Sequence, residues 1–218
     1  WADQLASGRE VEAELRRMRE LFLRWNPSTT MKCAIFEENG NRHDMQRVLG
    51  HVTLQNAVRR MGDFVLTSCA ANALQPYRQN DNGWDQGQVF FTPSQVWGMP
   101  PYYAQQMAAA HHRPLTVGCG VEGADGVLDV TATRSREAGS VVLHIANTGA
   151  EPLRVGLRVD GMGKVSQARM VSLSGDLDAV NTPEEPRRIA PVGRELPAWA
   201  AQTVDIAPYS YTIVVLDE

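Results

Sequence analysis

Lys32-Cys33-Ala34-Ile35-Phe36-Glu37-Glu38-Asn39 is the stretch on which the reading of this chain turns. Residues 32–36 suit a short buried strand, and they run directly into two adjacent carboxylates and an amide. A carboxylate is costly to bury unless something uses it. In alternating β and α architectures, catalytic groups gather on the loops after the C-terminal ends of strands. On an ordinary surface, paired glutamates are simply solvated, so the pattern taken alone leaves both readings open.

Working outward, Val11, Leu15, Met18, Phe22 and Trp25 precede the strand at helical spacing. Ser7-Gly8-Arg9-Glu10 has the form of a capping box at the start of that helix, and Asn26-Pro27-Ser28 ends it. After a polar loop from Glu37 to His43, Asp44 is placed to cap a second helix. Met45, Val48, Leu49, Val52, Ala57, Val58 and Met61 share one face of it, and Gly62 suits its stop. Phe64-Val65-Leu66-Thr67-Ser68-Cys69 reads as a second apolar strand. A long polar loop covers 70–99, and Pro100-Pro101 opens a third helix that runs to His111. The order helix, strand, helix, strand, helix implies parallel strands joined by crossovers.

From Pro114 the pattern changes. Residues 127–133, 141–146, 153–159, 168–173 and 209–216 are short β-rich runs separated by turn signals such as Asn147-Thr148-Gly149. This half reads as an antiparallel sandwich. The chain is therefore expected to be α/β plus all-β, with one domain over 1–113 and a second over 114–218.

A net charge of -4 offers no basic footprint for nucleic acid. No apolar run approaches the roughly 18 residues a membrane helix needs. The three cysteines are odd in number and form no CxxC, which argues against a disulfide framework or a structural zinc. His111-His112 near a helix end suits the dipole there better than a metal, and neither cofactor nor metal is expected. Trp1 is not a natural start, so the chain reads as a piece of a longer one and its localisation stays open.

Within the long loop, Gln75-Pro76-Tyr77-Arg78-Gln79-Asn80-Asp81-Asn82-Gly83-Trp84-Asp85-Gln86 mixes aromatic faces with amides and carboxylates. That chemistry suits a sugar, which offers hydroxyls at its edge and C–H groups on its face. It equally suits a loop folded on Trp84 as its own small core.

Together these residues resemble the α-L-arabinofuranosidases of glycoside hydrolase family 51. Lys32 to Asn39 is similar to that family's seventh barrel strand, where an apolar run ends in Glu-Tyr-Ala or Glu-Trp-Asn. Gly83-Trp84-Asp85-Gln86 resembles its Trp-x-Gln stretch after the eighth strand, and Pro100-Pro101-Tyr102-Tyr103 its Pro-x-Tyr-Tyr helix opening. Asn181 to Pro186 is similar to its Asn-x-x-x-x-Pro signature, and Pro208-Tyr209-Ser210 to the start of its closing strand.

The resemblance implies the last units of a (β/α)8 TIM barrel followed by a β-sandwich. It also implies retaining hydrolysis of terminal α-L-arabinofuranosyl groups from an arabinose-containing glycan; whether the full-length protein is a homo-oligomer stays open. Glu37 falls in the nucleophile position. Glu38 stands where the family usually has an aromatic residue, and a register shift of one would make Glu38 the nucleophile instead. Trp84, Gln86 and Asn39 would bind substrate. The family's acid/base glutamate follows an asparagine after the fourth strand; no Asn-Glu pair occurs here, so that group is expected upstream and this chain alone is expected to be inactive. Two other readings stay open: a related barrel glycosidase acting on xylosides or glucans, and a non-catalytic carbohydrate-binding or scaffold protein derived from a glycosidase.

Overall fold

The computed structural model describes residues 2–79, 85–124, 126–137, 139–197 and 203–218, with side chains from Gly8 onward. Helix α1 (Ala2–Trp25) precedes strand β1 (Cys33–Glu38), helix α2 (Met45–Arg60) and strand β2 (Val65–Ala70). β1 and β2 pair in parallel, as the crossover through α2 requires. Leu15, Met61, Phe64 and Val65 form the core between this pair and its helices, with Val11, Phe22, Cys33 and Ile35 packed on it.

The helix start differs from the capping box at Ser7, because α1 already begins at Ala2. Gly8 answers to packing. A Cβ there would lie 2.8 Å from the Thr53 carbonyl carbon, so the glycine lets α1 close onto the α2 backbone. Asp44 does cap α2, its side chain accepting from the Arg47 amide at 3.2 Å.

Residues 70–99, read above as a loop, contain a small sheet of β3 (Leu74–Pro76), β4 (Val89–Thr92) and β5 (Gln95–Gly98). β4 and β5 form a tight hairpin in which Thr92 faces Gln95. Its core is Phe90, Trp97 and Met99. The strands are short and flanked by polar residues, which hides their period. Helix α3 (Pro100–Ala110) follows, with proline in its first turn.

The remaining strands are β6 (Leu115–Val117), β7 (Leu128–Arg134), β8 (Ser140–Asn147), β9 (Leu153–Gly156), β10 (Gln167–Ser174), β11 (Val192–Leu196), β12 (Thr203–Ile206) and β13 (Ser210–Asp217). Six make an antiparallel sheet in the order β11-β10-β13-β8-β7-β6, and β12-β9 make a second. Both faces of the large sheet are covered. Ala132, Leu143, Ile145, Val214 and Leu216 meet Val204 and Ile206 of the small sheet. On the other face Val142, Ala146, Tyr211, Ile213 and Val215 meet Met45, Val48 and Val52 of α2 and Tyr103, Ala104 and Met107 of α3. Burial on both faces explains why β13 is apolar almost without alternation.

The chain is thus mixed helix and sheet, with several sheets and, among the described residues, no closed barrel.

Candidate functional site at the end of β1

The register of β1 decides what stands at its end. Ile35 pairs with Ser68 and Glu38 with Ala70, so Phe36 and Glu37 together oppose Cys69 alone, a β-bulge. Cys33 and Ile35 turn toward the helices. Strict alternation would send Glu37 the same way and Glu38 outward. The extra residue reverses this: Glu38 is buried and Glu37 is exposed.

Helix α2 holds residue 38 twice. His51 Nδ1 lies 2.8 Å from Glu38 Oε2, both side chains being almost wholly buried. The contact is close but set off the line of a good hydrogen bond, and neither atom makes a hydrogen bond elsewhere among the described residues. The other ring nitrogen of His51 meets Gln105 Nε2 of α3, and Gln55 Nε2 donates to Gln105 Oε1 at 3.2 Å. One turn earlier, Arg47 donates to the main-chain oxygens of Glu38 and Asn39, each at 3.0 Å. Burial lowers the Arg47 pKa, and the charge of Glu38 acts against that. A Cβ at Gly40 would fall 2.3 Å from Arg47 Cζ; glycine is needed there for the guanidinium to lie against the chain.

The loop after β1 is pinned from its other side by Gln86. Its Oε1 accepts from the amides of Gly40 and Asn41 at 3.1 and 3.0 Å, and its Nε2 donates to Asn39 Oδ1 at 2.6 Å. The Asp85 amide donates to Asn41 Oδ1 at 3.1 Å. Gln75 Nε2 donates to Asp85 Oδ1 at 2.8 Å, and Gln75 Oε1 accepts from Gly87 at 2.8 Å. His43 Nδ1 sits 3.2 Å from the same Asp85 oxygen, with its ring 5.1 Å from that of Phe90.

Of the residues singled out in the sequence, Glu37 and Glu38 diverge, whereas Asn39 and Gln86 come together. The Gln86 amide is buried and engaged with the chain. Trp84, with Asn80 to Gly83, lies outside the described residues. Asn181, in the signature near the C-terminus, is buried and ties Gly98 to Ile189. Arg47, His51 and Gln105 were not among the site residues read from the sequence, and Gln75 stood there only as part of the polar loop. A signal for two of them existed: Arg47 and His51 stand four apart among the apolar residues of α2, where an unpaired polar group would be costly.

Two other features bear on the site. On β1 and β2, Phe36 is 79% and Leu66 71% exposed, an apolar face beside Glu37. A groove of about 1110 Å³ opens between the sheets of the sandwich, lined by residues such as Val130, Leu143, Val155 and Arg154, with no aromatic ring in its wall.

A family model described as the alpha-L-arabinofuranosidase C-terminal domain matches residues 26–210. A search of curated protein sequences returns no match. Among solved structures, the thermostable GH51 α-L-arabinofuranosidase from Thermotoga petrophila RKU-1 superimposes with a TM-score of 0.84 at 16% identity, covering 98% of this chain and 49% of that one. The α-L-arabinofuranosidase from Thermotoga maritima, solved as an arabinose complex, gives 0.79 at 17% identity, covering 99% and 49%. Arabinose-bound MgGH51 α-L-arabinofuranosidase gives 0.71 at 22% identity over 81% of this chain and 28% of that one. The chain spans about half the length of the two Thermotoga enzymes.

Proposed function

The chain belongs to the α-L-arabinofuranosidase C-terminal domain family, and from that membership we propose that it is the C-terminal part of a retaining enzyme that removes terminal α-L-arabinofuranosyl groups from arabinose-containing glycans. Residues 1–113 would then be the last units of a (β/α)8 barrel and 114–218 its β-sandwich. The parallel pair β1–β2 supports this, since helices cover one face while Phe36 and Leu66 stay bare on the other. Further barrel strands would cover that face and complete the pocket.

The observation that carries the reading is the exposed carboxylate of Glu37 at the C-terminal end of β1, beside a Glu38 already engaged by His51. Glu37 is assigned as the nucleophile. Its carboxylate attacks the anomeric carbon, the glycosidic C–O bond breaks, and a second carboxylic acid protonates the leaving oxygen. The same group then takes a proton from the water that hydrolyses the glycosyl ester. In a retaining enzyme the two carboxyl groups stand about 5 Å apart, and the second comes from outside this chain. Gln86 acts through Asn39: it takes the asparagine's oxygen and leaves its NH2 to donate to a sugar hydroxyl. Trp84 is proposed to offer its face to the sugar's C–H groups.

In the full-length protein, Glu37→Gln is expected to slow turnover of aryl α-L-arabinofuranosides by roughly a thousand-fold or more, with azide partly restoring Glu37→Gly. A Glu38→Gln variant that loses activity while Glu37→Gln keeps it would overturn the assignment.

A further inference from the structure

We propose that His51 and Gln105 are positioning residues that decide which of the two adjacent glutamates faces the sugar. The inference rests on the assignment of Glu37 as nucleophile and explains how that assignment is enforced. Glu37 and Glu38 have the same chemistry and neighbouring places, so side-chain identity cannot choose between them. Geometry does. The bulge at Phe36-Glu37 turns residue 38 toward α2, and there the Nδ1 of His51 lies 2.8 Å from its carboxylate.

Without that ring, Glu38 would be a carboxylate left in an almost dry site, and it would escape by swinging outward. The strand would then lose the reason for its bulge, and regular alternation would turn Glu37 inward. His51 is itself fixed, because its second nitrogen meets Gln105 of α3, which Gln55 of α2 holds in turn. Arg47 hydrogen-bonds the main chain of residues 38 and 39 and its charge also attracts the Glu38 carboxylate, so it favours residue 38 being inside, while His51 makes the side-chain contact that fixes its direction. Besides the pair itself, the charge acting on Glu38 is that of Arg47 on α2.

The test uses the full-length enzyme and an epoxide analogue of α-L-arabinofuranose. The nucleophilic carboxylate opens the epoxide, a C–O bond of the ring breaks as the ester forms, and the acid residue protonates the freed oxygen. Peptide mass spectrometry then locates the ester. Wild type should carry it on Glu37 alone. His51→Leu should lower kcat by about a hundred-fold with KM changed less than three-fold, and part of the label should move to Glu38.

His51→Gln retains a donor for the carboxylate and should keep the label on Glu37. The double variant Glu38→Leu, His51→Leu removes the stranded charge and should recover most of kcat, again with the label on Glu37. Gln105→Leu, a milder change, should give a smaller fall in kcat at unchanged KM, and it carries the test if His51→Leu does not fold. A His51→Leu enzyme labelled on Glu37 alone with normal kcat would overturn the proposal, as would a loss that the double variant fails to recover. A wild-type label on Glu38, or on neither glutamate, would instead sink the assignment of Glu37 itself.

Discussion

The six-stranded sheet and the β1–β2 pair lie in contact with the same helix, yet they are finished to different degrees. β13 is buried along nearly its whole length because α2 and α3 cover one face of its sheet and β12–β9 the other. β1 and β2 have helices on one face only, and Phe36, Leu66 and Met31 stand largely in the open on or beside the pair. A two-stranded sheet with a bare apolar face is an unstable end state in water. The difference separates two kinds of apolar strand. One has its packing among the described residues, and the other, on the proposed reading, is shaped for further strands of a barrel.

The largest expected effect follows from that incompleteness. The purified 218-residue chain should hydrolyse neither aryl nor natural arabinosides, because Glu37 stands on an uncovered pair and no Asn-Glu acid/base is present in the sequence. Retaining hydrolysis above the level of a Glu37→Ala control would remove the contrast between finished and unfinished regions.

Next comes a pair of truncations measured by denaturant unfolding. Ile213→Ala, in the doubly covered sheet, should cost about 2–5 kcal/mol, whereas Phe36→Ala in the same isolated chain should change stability by less than about 0.5 kcal/mol. In the full-length protein Phe36→Ala should become costly, since its face is then covered. Equal effects of the two truncations in the isolated chain would erase the distinction.

The interface between α2 and the large sheet gives the third prediction. His144 is fully buried, with Nδ1 2.7 Å from the Tyr211 hydroxyl. Burial first, then the positive surroundings of Arg59, His111 and His112, bring its pKa down to about 2. Burial likewise pushes Tyr211 up to about 12. In the unfolded chain His144 takes a proton below its ordinary value of 6.5; in the folded chain it stays neutral until about 2. Stability is therefore intact above pH 6.5 and falls as pH drops below it, by roughly 3 kcal/mol at pH 4.5. His144→Gln should flatten that slope in urea titrations across pH 7 to 4.5. An unchanged slope would show that other groups govern acid stability.

The sequence by itself carried the change of architecture near residue 114, the strand–helix–strand order from Cys33 to Ala70, and the proline start of α3. These rest on local signals: hydrophobic period, caps and turn residues act within a few positions of themselves. The family resemblance drew on the same local strings, and the match over residues 26–210 agrees with it. Local signals failed where a distant partner set the outcome. Ser7-Gly8 has the form of a cap, yet Gly8 answers to the α2 backbone. Residues 70–99 look like loop because the sheet inside them is held by a compact aromatic cluster rather than by a long alternating run.

The choice between Glu37 and Glu38 is the sharpest case. Two adjacent glutamates are indistinguishable to any rule of composition or spacing, and a slip of one residue turns every side chain of a strand over. Only the bulge and the pairing of Glu38 with His51, thirteen residues further along and brought near by the crossover through α2, separate an exposed carboxylate from a buried one. Burial and charge pairing are properties of three-dimensional neighbours, and the sequence names those neighbours without saying where they meet.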